Sequence, residues 1–104
     1  MTGLNLNRVN LIGRVVDHIF YTTTERAAAD LIRFKVATPN ENHEPDTHQC
    51  LAWGPIGLQL HTYLKRGSQI ALRGKLSYHQ FENSLGEQVI TPEIRVDQFT
   101  FLGD

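Results

Sequence analysis

The sequence predicts an all-β chain with a single helix, closed into a five-stranded Greek-key barrel. Three observations predict it. Five stretches alternate apolar and polar residues with a period of two, the mark of strands with one buried face. Between the third and fourth of them lies one helical segment, which ends at a glycine. Two of the strands carry an interior glycine, Gly13 and Gly74, where a strand can bend and so pair at both of its ends.

The first strand spans residues 4–16. Leu4, Leu6, Val9, Leu11 and Val15 form its apolar row, and Asn10, Ile12 and Arg14 lie on its other face. Residues 17–30 have no period. Thr22 to Thr24 predict a loop there, and Ala27 to Ala29 a short helical turn. The second strand, residues 31–38, sets Ile32, Phe34 and Val36 against Arg33 and Lys35. Residues 39–46 are polar and form an exposed loop. The third strand, residues 49–53, alternates Cys50 and Ala52 with Leu51 and Trp53.

Gly54-Pro55 opens the helix, with proline at its favoured first position. Ile56, Leu60 and Leu64 recur at helical spacing with Tyr63 beside them, so this face packs on the barrel. Lys65 and Arg66 suit a helix C-terminus, and Gly67 suits the left-handed position after it. From Gln69 the period returns to two. Ile70, Leu72, Leu76 and Tyr78 face one way; Arg73, Lys75, Ser77 and His79 face the other. Residues 82–87 make a hairpin loop. The last strand spans residues 89–102. Its core row runs through Ile94 and Val96 and then shifts to Phe99 and Phe101, which predicts a bulge at Asp97-Gln98. Three strands, a helix and two strands, in that order, are the order of the OB-fold.

The 104 residues bound the chain to one domain, residues 1–104, with little room for a second core. No apolar run reaches membrane-spanning length, and the N-terminus lacks the regions of a signal peptide. One cysteine, Cys50, excludes an intrachain disulfide and fits a reducing, cytoplasmic setting. Net charge is -1, so any case for an anionic partner rests on where the cations sit. His18, His43, His61 and His79 have no ligand-like spacing with each other or with Cys50, which argues against a metal site. No paired carboxylates, nucleophile elbow or phosphate-cradling loop is present, so neither an enzyme nor a cofactor is expected.

Asn7-Arg8-Val9-Asn10-Leu11-Ile12-Gly13-Arg14-Val15 resembles the opening strand of bacterial single-stranded-DNA-binding proteins. Phe34-Lys35-Val36-Ala37-Thr38 is similar to their second strand. Trp53-Gly54, and Tyr63-Leu64-Lys65-Arg66-Gly67-Ser68 leading to Arg73-Gly74-Lys75-Leu76, resemble their most recognisable segment. The resemblance covers nearly the whole chain. It implies a homodimer joined through first strands, or a homotetramer, with Asn7, Val9, Leu11 and His48 at subunit contacts. It also implies base stacking on Trp53 and Phe81. Where many relatives carry tryptophan this chain has Asn42 and Thr47, and the acidic recruiting tail of replicative relatives is not expected here.

Arg14, Arg33, Lys35, Arg73 and Lys75, with Trp53 and Phe81, are therefore the expected contacts to single-stranded DNA. Plainer readings stand beside these. The cations also fit a solvated strand face. Trp53 also fits a core, and faces the groove only if Cys50 and Ala52 face inward. Phe81 also fits a subunit contact. Glu41, Glu44 and Asp46 in the long loop should repel a strand. Sequence-independent binding of single-stranded DNA, in replication, repair or recombination, is the first functional reading. The alternative is a tail-less replication-restart adaptor, similar to primosomal replication protein B, acting through replication or restart proteins.

Overall fold

A computed structural model describes residues 3–24 and 29–103. The elements are β1 (Val9–Thr24), β2 (Ala29–Thr38), β3 (Asp46–Trp53), α1 (Gly54–Tyr63), β4 (Gln69–Glu82) and β5 (Gln88–Gly103). The strands close in the order β1-β2-β3-β5-β4, which is the OB-fold arrangement. All neighbouring pairs are antiparallel except β3 with β5, a short parallel contact at Cys50↔Ile94 and Leu51↔Arg95.

Closure depends on β1 and β4 each serving two neighbours. The first half of β1, Val9 to Arg14, pairs with β4, and the second half, from Arg14 on, pairs with β2. Gly13 sits at the changeover. A Cβ there would fall 2.7 Å from Val36 Cγ1 and closer still to the Ala37 carbonyl oxygen, so only glycine lets β2 approach. Gly74 has the same role between β4 and β5. Its Cβ would lie 2.8 Å from the Arg95 carbonyl carbon.

The alternating rows meet inside. Val15, Ile32, Phe34, Val36, Cys50, Ala52, Ile70, Leu72, Ile94 and Val96 form the core, with Leu60 and Leu64 closing it from the helix side. Each fully buried large side chain, Ile32 or Ile70 for instance, contributes about 1.5–3 kcal/mol relative to exposure. The phase shift in the last strand is a bulge: Gly74 pairs with Val96 and Arg73 with Gln98, leaving Asp97 as the extra residue. A second irregularity in β1 places Asp17, His18 and Ile19 between Val16↔Lys35 and Phe20↔Arg33.

Several expectations are corrected. Leu4 and Leu6 precede β1 and stand in solvent, because among the described residues no strand lies opposite them. Thr22 to Thr24 continue β1, and Ala29 opens β2, so β1 and β2 run further than the weak period indicated. Ala27 and Ala28 lie outside the described residues. Helix α1 stops at Tyr63, so Lys65 and Arg66 fall in the turn that follows it. Gly67 takes the left-handed φ of +91, but in that turn and not as the cap of the helix, which Leu64 ends in extended conformation, and its amide donates to the Val15 carbonyl at 2.7 Å. Tyr63 turns outward, edge-on to Phe101. Leu76 and Tyr78 keep their parity but are exposed: Leu76 lies opposite Ile94, at the end of the β3–β5 contact, and past that pair the β4–β5 ribbon continues as a two-stranded arm that no other described strand pairs with.

Candidate nucleic-acid interface

The outer faces of four strands carry one continuous row. In register, Arg33 on β2 lies beside Leu51 on β3, Leu51 beside Arg95 on β5, and Arg95 beside Lys75 on β4. Antiparallel alternation puts Arg33 opposite the buried Ile32 and Phe34, and Arg95 opposite the buried Ile94 and Val96. Leu51 is buried on this outer face, flanked in register by two arginines whose long apolar stems can cover it.

Trp53 ends β3 and serves as the N-cap residue of α1, in extended conformation. Cys50 and Ala52 do face inward, so Trp53 faces out and is 37% exposed. Trp53, Lys75, Arg95 and Asp97 line one shallow pocket of about 260 Å³. An indole beside two cations is the combination that takes a base and its phosphate. Arg95 is the residue the sequence reading missed. Its signal was its position between the two core residues Ile94 and Val96, which puts it on the outer face with Lys75.

The other expected contacts are placed differently. Phe81 shares the face of Arg73, Lys75 and His79, and its ring stacks on His79 with centroids 5.5 Å apart. It lies six residues beyond Lys75 on the arm, roughly 20 Å along the strand, so Trp53 and Phe81 do not share a pocket. Three of the cations are already paired. Arg33 bonds Glu93, whose side chain is 7% exposed. Lys35 lies 3.6 Å from Asp17, and Arg73 lies 3.6 Å from Asp97. The Arg73 side chain is 38% exposed, less than the half that a free strand face would show. Lys75 and Arg95 have no carboxylate partner among the described residues. Arg14 donates to the Gly67 carbonyl and so ties β1 to the turn before β4.

At the expected subunit contacts, Val9 and Leu11 turn toward the core. The Asn7 amide clips the chain to β4: its Nδ2 donates to the Leu76 carbonyl at 2.8 Å, and its Oδ1 accepts from the Leu76 amide at 2.8 Å. His48 Nε2 lies 2.9 Å from Thr38 Oγ1. In the loop between β2 and β3, Asn40 binds both the Asp46 carboxylate and the Asn42 amide, so Glu41 and Glu44 are presented on an organised turn. Asn42 and Thr47 are exposed and offer no ring for stacking. Among the described residues no cluster of histidine, cysteine or acidic side chains could hold a metal ion.

Comparison with known proteins agrees with this architecture. The pattern of the single-strand binding protein family matches residues 6–102. The chain is similar to the single-stranded DNA-binding protein of Oceanobacillus iheyensis, 29% identical over an alignment 102 positions long that covers 93% of this chain and 63% of that one. It is similar to single-stranded DNA-binding protein A of Bacillus subtilis, at 28% identity over 93% of this chain and 59% of the relative. A third relative, single-stranded DNA-binding protein 2 of Streptococcus pyogenes serotype M18, is 26% identical over 93% of this chain and 63% of its own length. The chain thus spans less than two thirds of the length of these relatives. With the five-stranded closure, the glycine-dependent strand contacts and a family match that runs almost end to end, the chain belongs to the single-strand binding protein family.

Proposed function

We propose that the protein binds single-stranded DNA without sequence preference, through base stacking on Trp53 and phosphate contacts from Lys75 and Arg95. The observation that carries this reading is the pocket shared by Trp53, Lys75 and Arg95 on the outer face of the barrel. Phe81 offers a second stacking ring further along the same face of β4, so a strand leaving the pocket would follow the arm. A π-face accepts any base, and a cation accepts any phosphate, so the arrangement does not read sequence. The names of the relatives support this reading over a replication-restart adaptor. The role is non-catalytic, in the cytoplasm, wherever replication, repair or recombination exposes single strands.

Assembly is part of the proposal. Over Val9 to Gly13, β1 pairs among the described residues with β4 on one side only, so its other edge can pair with the same segment of a second copy. Because Val9 and Leu11 face inward, that contact uses the backbone together with outward residues such as Ile12, which is 61% exposed. A dimer or tetramer is expected by light scattering at micromolar concentration, and a monomer overturns this part.

The binding test is a fluorescence titration of Trp53, the sole tryptophan, with oligo-dT at low and moderate salt. The expected result is quenching at low salt and an affinity that falls steeply as salt rises. Unchanged fluorescence together with no retardation of the oligonucleotide at low salt overturns it.

A further inference from the structure

Three of the outward cations face carboxylates of the same chain, and two of those carboxylates share an origin. Asp17 lies in the irregularity of β1, with φ 61, a conformation rare for a residue with a side chain. Asp97 is the extra residue of the β5 bulge. A bulge re-aims a side chain relative to the regular alternation of its strand. Here one bulge sets Asp17 beside Lys35, and the other sets Asp97 beside Arg73, each at 3.6 Å. Regular pairing resumes on both sides of each bulge.

Glu93 is different. It is buried, and Arg33 supplies the hydrogen bond and counter-charge that offset its loss of water. The Asp17 and Asp97 side chains are 62% and 48% exposed, so water reaches both carboxylates. Pairs this exposed are weak, so a phosphate can take the cation from the aspartate. The displaced aspartate then stands beside the phosphate and gathers a counterion, which cancels the counterion that the phosphate released.

We infer that Asp17 and Asp97 are affinity-setting residues: each occupies a cation of the DNA face and lowers both the strength and the salt dependence of single-strand binding. The inference rests on the DNA-binding reading above. Asp97 also lines the Trp53 pocket, so its charge opposes a phosphate there directly. In consequence the protein holds single strands loosely, mainly through Lys75 and Arg95, and releases them readily.

The test compares wild type with Asp17→Asn, Asp97→Asn and the double variant on oligo-dT across a salt series. Asparagine keeps the size of the side chain and tolerates the left-handed conformation of Asp17. Glu82→Gln is the charge control. It lies nine residues beyond Arg73 on β4, about 30 Å away and well past the roughly 10 Å screening length at 0.1 M salt. Each aspartate variant should bind about two- to fivefold more tightly at low salt, the factor an exposed ion pair is worth. Each should steepen the slope of log affinity against log salt by about 0.7, and the two effects should add. Glu82→Gln should gain less than either aspartate variant, because among the described residues Glu82 pairs with no groove cation although it neighbours Phe81 on the arm.

Aspartate variants that bind no more tightly than wild type overturn the inference, as does an equal gain in Glu82→Gln. Lys75→Ala and Trp53→Ala separate the two readings. If these weaken binding while the aspartate variants change nothing, the groove stands and the inference falls. If wild type does not bind at low salt, groove and inference fall together.

Discussion

Glu93 on β5 accepts a hydrogen bond from the guanidinium of Arg33 on β2, with β3 lying between the two strands. The carboxylate is 7% exposed and the guanidinium side chain 37%. The pair is therefore anchored on the acid side and open to solvent on the basic side.

Removing the arginine strands the acid. Arg33→Ala should cost about 1–3 kcal/mol of stability, the penalty of a buried polar group without its partner. That is below the loss for a fully buried pair, because water can enter where the arginine stood. Urea denaturation measures it. The double variant Arg33→Ala/Glu93→Gln should recover part of the loss, and no recovery would show that Glu93 is not the group left stranded.

Lys75 and Arg95 should carry the salt dependence of DNA binding. Lys75→Ala and Arg95→Ala should each weaken binding to oligo-dT and flatten the salt slope by about 0.7. Arg33→Ala should change the slope less, since its charge is already matched by Glu93. Equal slopes for all three variants would place the phosphate path elsewhere on the barrel.

Trp53→Ala should weaken binding to every homopolymer alike, by about 1–3 kcal/mol, while leaving the salt slope unchanged. Filter binding on oligo-dT and oligo-dC decides it, and a loss confined to one base would mean readout of base edges rather than stacking.

Gly74→Ala should destabilise the barrel by about 1–3 kcal/mol as an overpacked contact. The added methyl would meet the Arg95 backbone rather than a flexible side-chain end, so β4 and β5 must separate next to the Trp53 pocket. Thermal denaturation gives the stability and Trp53 emission the local change. An unperturbed melting temperature would show that the ribbon yields freely.

Cys50 is 2% exposed, and burial pushes its thiol up from 9.0 to about 12. Burial disfavours the thiolate, so above pH 9 the unfolded chain holds fewer protons than the folded one. The associated stability is complete below pH 9 and is lost as pH rises toward 12. Iodoacetamide at pH 8 should leave native Cys50 unmodified and alkylate it in urea; rapid modification of native protein would contradict its burial.

Five strands, one helix, their order and the inward rows were legible in the sequence because alternation is local. A residue's neighbours at i±2 state which face it shares, whatever lies across the sheet. The bulge at Asp97 was legible for the same reason, as a change of phase between Val96 and Phe99. What tertiary structure alone decided is which charges meet. Arg33 and Glu93 are 60 residues apart in the chain, and nothing in the spacing of either announces the other. Arg95, unremarked in the sequence between Ile94 and Val96, is set between Leu51 and Lys75 by the parallel β3–β5 contact and the β4–β5 register. Leu76 and Tyr78 carried a core period to positions that the barrel does not cover. A period names a face of a strand. Whether that face meets a core, a carboxylate or water depends on strands brought in from elsewhere in the chain by closure of the barrel.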